Sequence, residues 1–395
     1  MSEMTECMGD EVVGGEIKVK LARARKYMCE RGLDVMILRR FDNFAWITAG
    51  GDNRCAGATD IGVASVLITH DDQWVLTSNV EARRFCEEAL AHIWAEGIFR
   101  MREHPWYGEA EALGEAAKGF VDGTSLLSYG GRVGADVPLA GAEFVGPELV
   151  QLRYPFTKGE ADRYVKVAHG VAEVVERAAR EVRRGQTERE IAGRVASDLF
   201  AFGYFPTVLL VGADWRVERY RHPLPTMNLV DKYCMIIVCA HCGGLTVALT
   251  RSVHIGEPSP ELRRRHEAAA DVCAAMNART RAGTRWADVM EAMKEEYRAQ
   301  GFEDEWKCHH QGGPIGYQDR EFFAMPQEVG GPDRGVIMPL QAVAWNPSVP
   351  GAKSEDSFLV MEDETRVVTV GEGWWPMIEV KIDGVTLQRP DILVI

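Results

Sequence analysis

The sequence predicts an α+β protein in which a small α/β domain precedes a larger domain of helix pairs packed on a curved antiparallel sheet. Three patterns support this fold class. Short apolar runs alternate with helical segments over the first part of the chain, and two later helix pairs repeat the order helix, Gly, Thr, helix. Between those pairs, a Gly243-Gly244 turn joins two apolar runs, which is typical of a β-hairpin. The length of 395 residues suits two domains.

The first domain is predicted from apolar periodicity. Residues 1–15 are acidic and have no such pattern, so we expect a loose tail there. Because helices and strands then alternate, residues 16–153 are predicted to form an α/β domain. Its expected elements are a helix over 16–32, strands over 35–38, 62–69 and 74–77, and a helix over 80–91.

A break in the pattern starts the second domain, which we expect to span residues 157–395. Pro155 and Gly159 interrupt periodicity, and Thr157 with Glu160 forms a capping box that predicts a new helix. This helix is expected to end at Gly185. Its apolar stripe consists of Val167, Val171, Val174, Val175, Ala178 and Val182.

The same arrangement occurs twice in the second domain. A capping box from Thr187 to Glu190 predicts the partner of the first helix. Further along, Ser259 begins a helix, Gly283 ends it and Thr284 opens the next. Two helix pairs followed by strand-like segments predict an internal pseudo-duplication, with one curved sheet beneath four helices.

Charge and composition narrow the function classes. A formal net charge of −14 argues against nucleic acid or an anionic membrane as a partner. The chain has no apolar run of membrane-spanning length and no secretory signal at its start. Its nine cysteines are scattered and suggest no disulfide framework, so we expect a cytoplasmic protein.

One cysteine pattern permits a zinc site. Cys239 and Cys242 have the spacing of half a site, and the run Cys308-His309-His310 could supply the other half. The alternative is that the hairpin cysteines are small apolar residues of a buried strand, which is a common use of cysteine. The hairpin position favours this second interpretation.

Four segments carry a family resemblance: "TKGEADRYVKVAHG", "RRGQTEREIAG", "GGLTVALTRS" and "NPSVPGAKSEDSFLV". Together they resemble the pita-bread superfamily of hydrolases, which includes methionine aminopeptidase, aminopeptidase P, prolidase and creatinase. The resemblance extends over nearly the whole chain, because two-domain members also have a smaller α/β N-terminal domain. It implies a pita-bread fold for the second domain, whereas function has to be argued from the site.

In metal-dependent members five ligands hold two divalent ions, and the resemblance shows where those ligands would lie. Four of the positions are Ile237, Ala248, Gly313 and Asn346, and only the fifth, Glu355, keeps a carboxylate. A single carboxylate cannot hold two ions that need several oxygen donors. We therefore expect a protein with no metal pair and no other cofactor.

Creatinase is the member that works without metal, and the stretch "RHPLPTMNLVDKYCMI" resembles it without gaps. The resemblance implies that His222 is the general base and that Glu355 orients the substrate as the second catalytic residue. Creatinase has a glutamate where this chain has Thr250. Because two carboxylates suit a guanidinium, creatine itself is not the expected substrate.

Other polar residues are expected to bind the substrate. Arg320, followed by Glu321, lies where the superfamily has a histidine and a glutamate, and an arginine there could grip a carboxylate. Residues on a strand alternate between its faces, so only one of His309 and His310 is expected to face the pocket. The predicted substrate-binding residues are Arg320, Thr250, Asn346, His309, His310, Glu321 and Arg54.

Arg54 belongs to a Gly-rich polar loop of the first domain, "GGDNRCAG". In creatinase-like dimers the N-terminal domain of one subunit reaches the other subunit's pocket. The resemblance therefore implies a homodimer in which this loop contributes to the partner's site.

The function expected from these residues is metal-independent cleavage of a C–N bond in a small, carboxylate-bearing molecule. A lyase or isomerase that uses the same His222 is a second possibility, and a non-catalytic pita-bread module that binds a peptide is a third. The site residues also have purely structural interpretations. His222 could be ancestral packing, and Glu355 could be a buried carboxylate paired with Arg251 or Lys353.

Overall fold

The computed structural model describes residues 10–94, 97–121, 124–125, 131–382 and 384–395. The chain divides into two compact units. The first consists of Met1–Arg153 with Thr157–Glu160, and the second of Tyr154–Phe156 with Ala161–Ile395. The division falls in the segment that contains Pro155 and Gly159.

The first unit is built on a six-stranded mixed sheet with the strand order β4-β3-β2-β1-β7-β8. β1 pairs antiparallel with β2 and parallel with β7. A separate two-stranded ladder joins β5 to β6. The strands are β1 (Val35–Arg40), β2 (Ile61–Ile68), β3 (Gln73–Ser78), β4 (Arg100–His104), β5 (Phe120–Val121), β6 (Thr124–Ser125), β7 (Val133–Ala135) and β8 (Glu143–Phe144).

Helices complete this unit, and the first begins earlier than expected. Residues 10–15 were expected in a loose tail, but they are helical, while residues 1–9 lie outside the described part of the chain. The reason is that Val13 adds one more turn to the buried stripe of Ile17 and Leu21. The helices are α1 (Asp10–Arg31), α2 (Phe41–Ile47), α3 (Ala82–Arg84), α4 (Ala91–Trp94), α5 (Glu109–Ala117) and α6 (Gly146–Arg153), with a π-helical turn at Phe85–Ala89.

The second unit contains the two predicted helix pairs. Both capping boxes form: Thr157 and Glu160 exchange hydrogen bonds, as do Thr187 and Glu190. The valine stripe is buried along its whole length. The helices are α7 (Lys158–Arg180), α8 (Glu188–Ala201), α9 (Trp215–Arg219), α10 (Pro260–Arg279) and α11 (Trp286–Ala299).

The strands of this unit form two four-stranded sheets, ordered β20-β11-β10-β9 and β12-β13-β16-β17. Two short ladders, β14-β15 and β18-β19, accompany them. The strands are β9 (Phe205–Ala213), β10 (Tyr233–Cys242), β11 (Leu245–His254), β12 (Gly312–Pro314), β13 (Gln341–Trp345), β14 (Ser348–Val349), β15 (Ala352–Lys353), β16 (Asp356–Val360), β17 (Thr365–Val367), β18 (Met377–Ile382), β19 (Val385–Pro390) and β20 (Leu393–Val394).

The hairpin of β10 and β11 forms as the sequence predicted. Gly243 and Gly244 both adopt positive φ, at 54° and 78°. A type I′ turn, which is common in two-residue hairpin loops, requires positive φ at both residues. The resulting register places Ile237 opposite Thr250 and Cys239 opposite Ala248. Because side chains alternate along a strand, these four residues share one face of the hairpin.

The two four-stranded sheets meet along β11 and β16. The Thr250 amide donates to the Glu355 carbonyl at 3.0 Å. Next to it, the Ser357 hydroxyl accepts from the Ala248 amide at 2.8 Å and donates to the Ala248 carbonyl. These bonds link the two halves of the predicted pseudo-duplication directly beside the residue expected to be catalytic.

A buried ionic network lies beside this junction. Arg251 contacts Glu176 at 3.0 Å and Asp356 at 3.1 Å, and Asp356 also pairs with Arg389. All four side chains are almost fully buried, so each charge depends on its partners for compensation. Within the described residues, no helix combines the length and apolar character needed to cross a membrane.

We predict that Arg251→Met destabilises the second unit by about 3–5 kcal/mol, since it leaves two buried carboxylates short of a cation. Urea-induced unfolding followed by circular dichroism measures this change. Arg366→Met is the matched control, because Arg366 pairs with Glu364 at the surface, where ion pairs contribute little. Equal stability of the two variants would show that the buried network does not stabilise the fold.

Candidate active site

Glu355 lies just before β16 and is almost completely buried. Three residues from different segments contact its carboxylate. The Thr250 hydroxyl donates to Oε2 at 2.8 Å, Lys353 Nζ lies 2.9 Å from the same oxygen, and an Arg320 Nη lies 3.2 Å from Oε1. Both carboxylate oxygens are therefore held by the protein.

The charges around Glu355 keep it ionised. Burial by itself raises the pKa of the carboxyl, but Lys353 and Arg320 outweigh burial and lower the pKa to about 2. The sequence allowed Glu355 to be a buried carboxylate paired with Arg251 or Lys353. It pairs with Lys353. It does not pair with Arg251, whose partners are Glu176 and Asp356.

Arg320 is not a solvated surface residue, because only 6% of its side chain is exposed. One of its Nη atoms contacts Glu355, and the other donates to the Asp319 carbonyl at 2.5 Å. Its Nε is buried without a hydrogen-bond partner among the described residues. The arginine therefore keeps one unused donor, although part of its fork already faces a carboxylate of the protein.

His222 follows α9 on a loop, and its ring meets two histidines from the segment before β12. His222 Nε2 lies 3.0 Å from His309 Nε2, a hydrogen bond in which one nitrogen must carry the hydrogen. His309 and His310 stack with ring centroids 4.3 Å apart. The expectation that only one of these two faces the pocket is wrong. Both rings lie against His222, because residues 308–311 precede the strand and strand alternation does not apply to them.

The three histidines are electrostatically tied to the Glu355 cluster. Burial and the charge of Lys353 lower the pKa of His222 and of His309. Burial and the charge of Arg320 lower the pKa of His310 to about 3. Burial, together with the cations that hold Glu355, thus keeps the imidazoles neutral at pH 7, and the histidines lie within electrostatic reach of the Glu355 cluster.

Asn346 and Glu321 have different surroundings. The Asn346 amide donates to the Gln311 carbonyl at 3.1 Å, whereas its side-chain Oδ1 is buried with no partner among the described residues. Glu321 accepts a hydrogen bond from the Tyr317 amide at 3.0 Å, so its carboxylate stabilises the turn from 317 to 321. The Asn346 side-chain oxygen is therefore available as an acceptor for a substrate, whereas the Glu321 carboxylate stabilises the local turn.

Lys353 was not predicted as a site residue. It lies two positions before Glu355, so the pattern Lys-Ser-Glu places both side chains on one side of an extended segment. That spacing was the available signal. The lysine side chain is 5% exposed, so it is buried together with the carboxylate that it contacts.

Arg54 has partners within its own unit. It pairs with Asp52 at 3.0 Å, and its guanidinium lies 3.5 Å from the centre of the Phe41 ring. Its contribution to a partner subunit's pocket stays a prediction.

The cysteine-based zinc site does not assemble. Cys239 is buried in β10. In the part of the chain that the structure describes, the cluster able to hold a metal ion consists of His222, His309 and His310 and includes no cysteine. The interpretation of the hairpin cysteines as buried apolar residues is therefore right for Cys239.

Ile237 and Ala248, two of the positions where the superfamily has metal ligands, are buried on the hairpin face that carries Thr250. A Cβ added at a third, Gly313, would lie 2.3 Å from the Phe322 carbonyl oxygen. Backbone at this distance leaves no room for a histidine, so these residues do not fit a pair of metal ions.

Known proteins resemble this chain at the level of family and fold. An uncharacterized peptidase of Staphylococcus haemolyticus is 23% identical over 194 residues, which are 47% of this chain and 54% of that relative, so the match spans about half its length. The Xaa-Pro dipeptidase of Bacillus anthracis has a TM-score of 0.72 at 16% identity, covering 96% of this chain and 100% of that one. Dipeptidase PepE of Mycobacterium ulcerans has a TM-score of 0.69 at 18% identity, with coverage of 96% and 98%.

These likenesses confirm the fold expected from the four sequence segments, a smaller N-terminal domain followed by a pita-bread domain. The family model of the M24 metallopeptidases matches residues 162–369, more than half of the chain. This range contains all but the first turn of the helix pairs, together with the hairpin, the histidine cluster and Glu355. The chain belongs to metallopeptidase family M24, a family of hydrolases.

Proposed function

We propose that this protein hydrolyses a C–N bond in a small polar molecule that carries a carboxylate, and that it does so without a pair of metal ions. The observation that carries the proposal is the buried Glu355 carboxylate, ionised between Lys353 and Arg320 and within electrostatic reach of His222, which contacts His309. It brings a charged binding group and a neutral base into one site, which is the arrangement that general-base hydrolysis needs.

The residues at the superfamily's metal positions support the metal-free part of the proposal. Ile237 and Ala248 have no donor atom, Gly313 has no side chain, and Asn346 offers one amide. Hard divalent ions in such sites need several carboxylate or imidazole ligands. We therefore derive the reaction from the side chains of this chain alone.

His222 acts as the base in the proposed reaction. It is exposed at its loop, so water and substrate can reach it, and its lowered pKa leaves it neutral and able to accept a proton. It takes a proton from the attacking water as the C–O bond forms. It then returns that proton to the leaving nitrogen as the C–N bond breaks, which balances the hydrolysis.

His309 positions the base. The two Nε2 atoms lie 3.0 Å apart, and this contact holds the ring orientation of His222. In the proposed reaction His222 Nε2 donates to His309 Nε2, which leaves the lone pair of His222 Nδ1 free to act as the base. His309 in turn is held by its segment, where Gln311 donates to the His309 carbonyl at 2.6 Å. Tyr297 donates to the Gln311 side chain at 2.9 Å.

The Glu355 cluster binds the substrate. Arg320 Nε is an unused buried donor, and together with Lys353 it supplies positive charge for a substrate carboxylate. Glu355 accepts from N–H groups of the substrate, and Asn346 Oδ1 is a further unused acceptor. A molecule with both a carboxylate and an N–H donor satisfies these atoms. A peptide bond is a poorer candidate, because without a Lewis acid its hydrolysis loses several kcal/mol of charge stabilisation.

His222→Ala should lower kcat by roughly a hundred- to ten-thousand-fold, the usual contribution of a general base, while substrate affinity changes little. A panel of N-acyl, ureido and guanidino acids, screened first by ligand-induced thermal shift, supplies the substrate. His70→Ala is the control, since His70 is exposed in the first unit. Full turnover by His222→Ala would show that this histidine is packing and would overturn its role as base. A wild-type protein that binds peptides but turns over no member of the panel would support the binding-module alternative.

Glu355→Gln should act on binding. A charge partner that holds the substrate equally in the ground and transition states raises KM when it is removed and leaves kcat nearly unchanged. Steady-state kinetics with the substrate found in the screen separate the two constants. A fall in kcat with KM unchanged would mean that Glu355 acts on the reacting atoms instead.

Glu355 should also produce a pH dependence of stability. Its folded pKa of about 2 lies below the ordinary 4.5, so the ionised carboxylate stabilises the folded state above pH 4.5. This stabilisation is lost as the pH falls from 4.5 towards 2. The difference in unfolding free energy between wild type and Glu355→Gln should therefore shrink over that range, as urea unfolding can show. Glu364→Gln, at an exposed carboxylate, is the control, and a difference that does not change with pH would contradict the assignment.

A further inference from the structure

Three imidazole rings meet beside the Glu355 cluster. His222, His309 and His310 each bring one ring nitrogen to within 4.8 Å of the other two. They come from two separate segments, the loop after α9 and the bend before β12. In the described part of the chain, no other group of three histidine, cysteine or acidic side chains lies close enough to hold an ion.

The distances are close to those of a tetrahedral site. With bonds of about 2.1 Å, two imidazole nitrogens on one zinc ion lie about 3.4 Å apart. The Nε2 atoms of His222 and His309 are 3.0 Å apart, so they need to separate by a few tenths of an ångström. The widest separation in the cluster has to shrink by roughly 1.4 Å. His222 is exposed and His310 half-buried, so rotation of these side chains can supply this movement.

The positive charge near the three histidines predicts that a metal ion would bind weakly and would need an anion as a further ligand. Lys353 and Arg320 place two positive charges near the histidine rings, and the single negative charge of Glu355 offsets only part of them. A cation here would therefore be accompanied by an anion as its fourth ligand. Metal-bound histidines usually donate their second ring N–H to an acceptor. The Nδ1 atoms of His309 and His310 are buried without such a partner among the described residues.

We propose that His222, His309 and His310 form a reversible site for one divalent ion of the zinc type, with an anion as the fourth ligand. This site is distinct from the five superfamily positions, which lie on the hairpin face (Ile237 and Ala248), on β12 (Gly313), just after β13 (Asn346) and just before β16 (Glu355). An ion bound at His222 Nε2 moves that ring's hydrogen to Nδ1, the nitrogen that the proposed reaction uses as the base. Its binding therefore inhibits turnover, a consequence that rests on the proposed function, whereas the site itself does not.

The test uses the full chain without an affinity tag, treated with chelator and then desalted. Titration with zinc chloride in a calorimeter should give one ion per chain, and cobalt(II) should give the intense visible bands of four-coordinate geometry. His222→Ala and His310→Ala should each weaken zinc binding by at least about a hundredfold, because each removes a ligand. His70→Ala and Cys242→Ser should bind like the wild type.

The absence of zinc binding, or zinc binding that survives both histidine substitutions, would overturn the proposal. Loss of zinc binding in Cys242→Ser would place the ion at the hairpin cysteines and would also overturn it. The calorimetric result does not depend on turnover, so it stands even if the proposed hydrolysis fails. If zinc binds as expected but leaves turnover unchanged, the site is supported and the inhibitory consequence is wrong.

Discussion

The candidate active site depends on one buried negative charge. Glu355 can be ionised at 2% exposure only because Lys353 and Arg320 compensate for the cost of its burial. The residues that contact its carboxylate lie on the hairpin, on the segment before β16 and on the loop after β12. The carboxylate therefore fixes three separate parts of the second unit around one point, where the Thr250 amide also joins the two sheets.

Lys353 and Arg320, which compensate the charge of Glu355, also influence the protonation of the three nearby histidines. Burial opposes protonation of the histidines, and the charges of Lys353 and Arg320 add to it, so the three rings are neutral imidazoles. A neutral imidazole can take a proton from water or bind a metal ion, and it cannot do both at once. The proposed reaction needs a free lone pair on His222 Nδ1, whereas zinc at His222 Nε2 places the ring's hydrogen on Nδ1, so the two states of this histidine exclude each other. The positive charge that remains around Glu355 favours binding of the substrate carboxylate in the reaction and of the anionic fourth ligand in the zinc site.

Much of this arrangement was predictable from the sequence. Capping residues and valine spacing predict the helix pairs, because a helix start and a buried helix face each depend on residues within a few positions of one another. The Gly243-Gly244 turn gave the hairpin and its register for the same reason, and the family motifs located Glu355 and His222. The sequence does not predict the early start of α1, because residues 10–15 end in two glycines and show no apolar periodicity of their own.

The remaining errors concern residues whose surroundings are set by distant parts of the chain. Strand alternation predicts that His309 and His310 point in opposite directions, whereas they lie in a bend where their rings stack on each other. Lys353 was considered only as a structural partner, although its spacing from Glu355 was visible. Pairings such as Arg251 with Glu176 and Asp356 join elements far apart in sequence, and no local pattern indicates which buried acid an arginine will meet.

The most direct test of the account is the metal dependence of turnover. With a substrate found in the screen, activity should be measured after exhaustive chelation and again after addition of Mn²⁺ or Co²⁺. Full activity is expected in the chelated protein, with no increase on addition of either ion. Loss of activity on chelation, restored by two metal ions per chain, would contradict it.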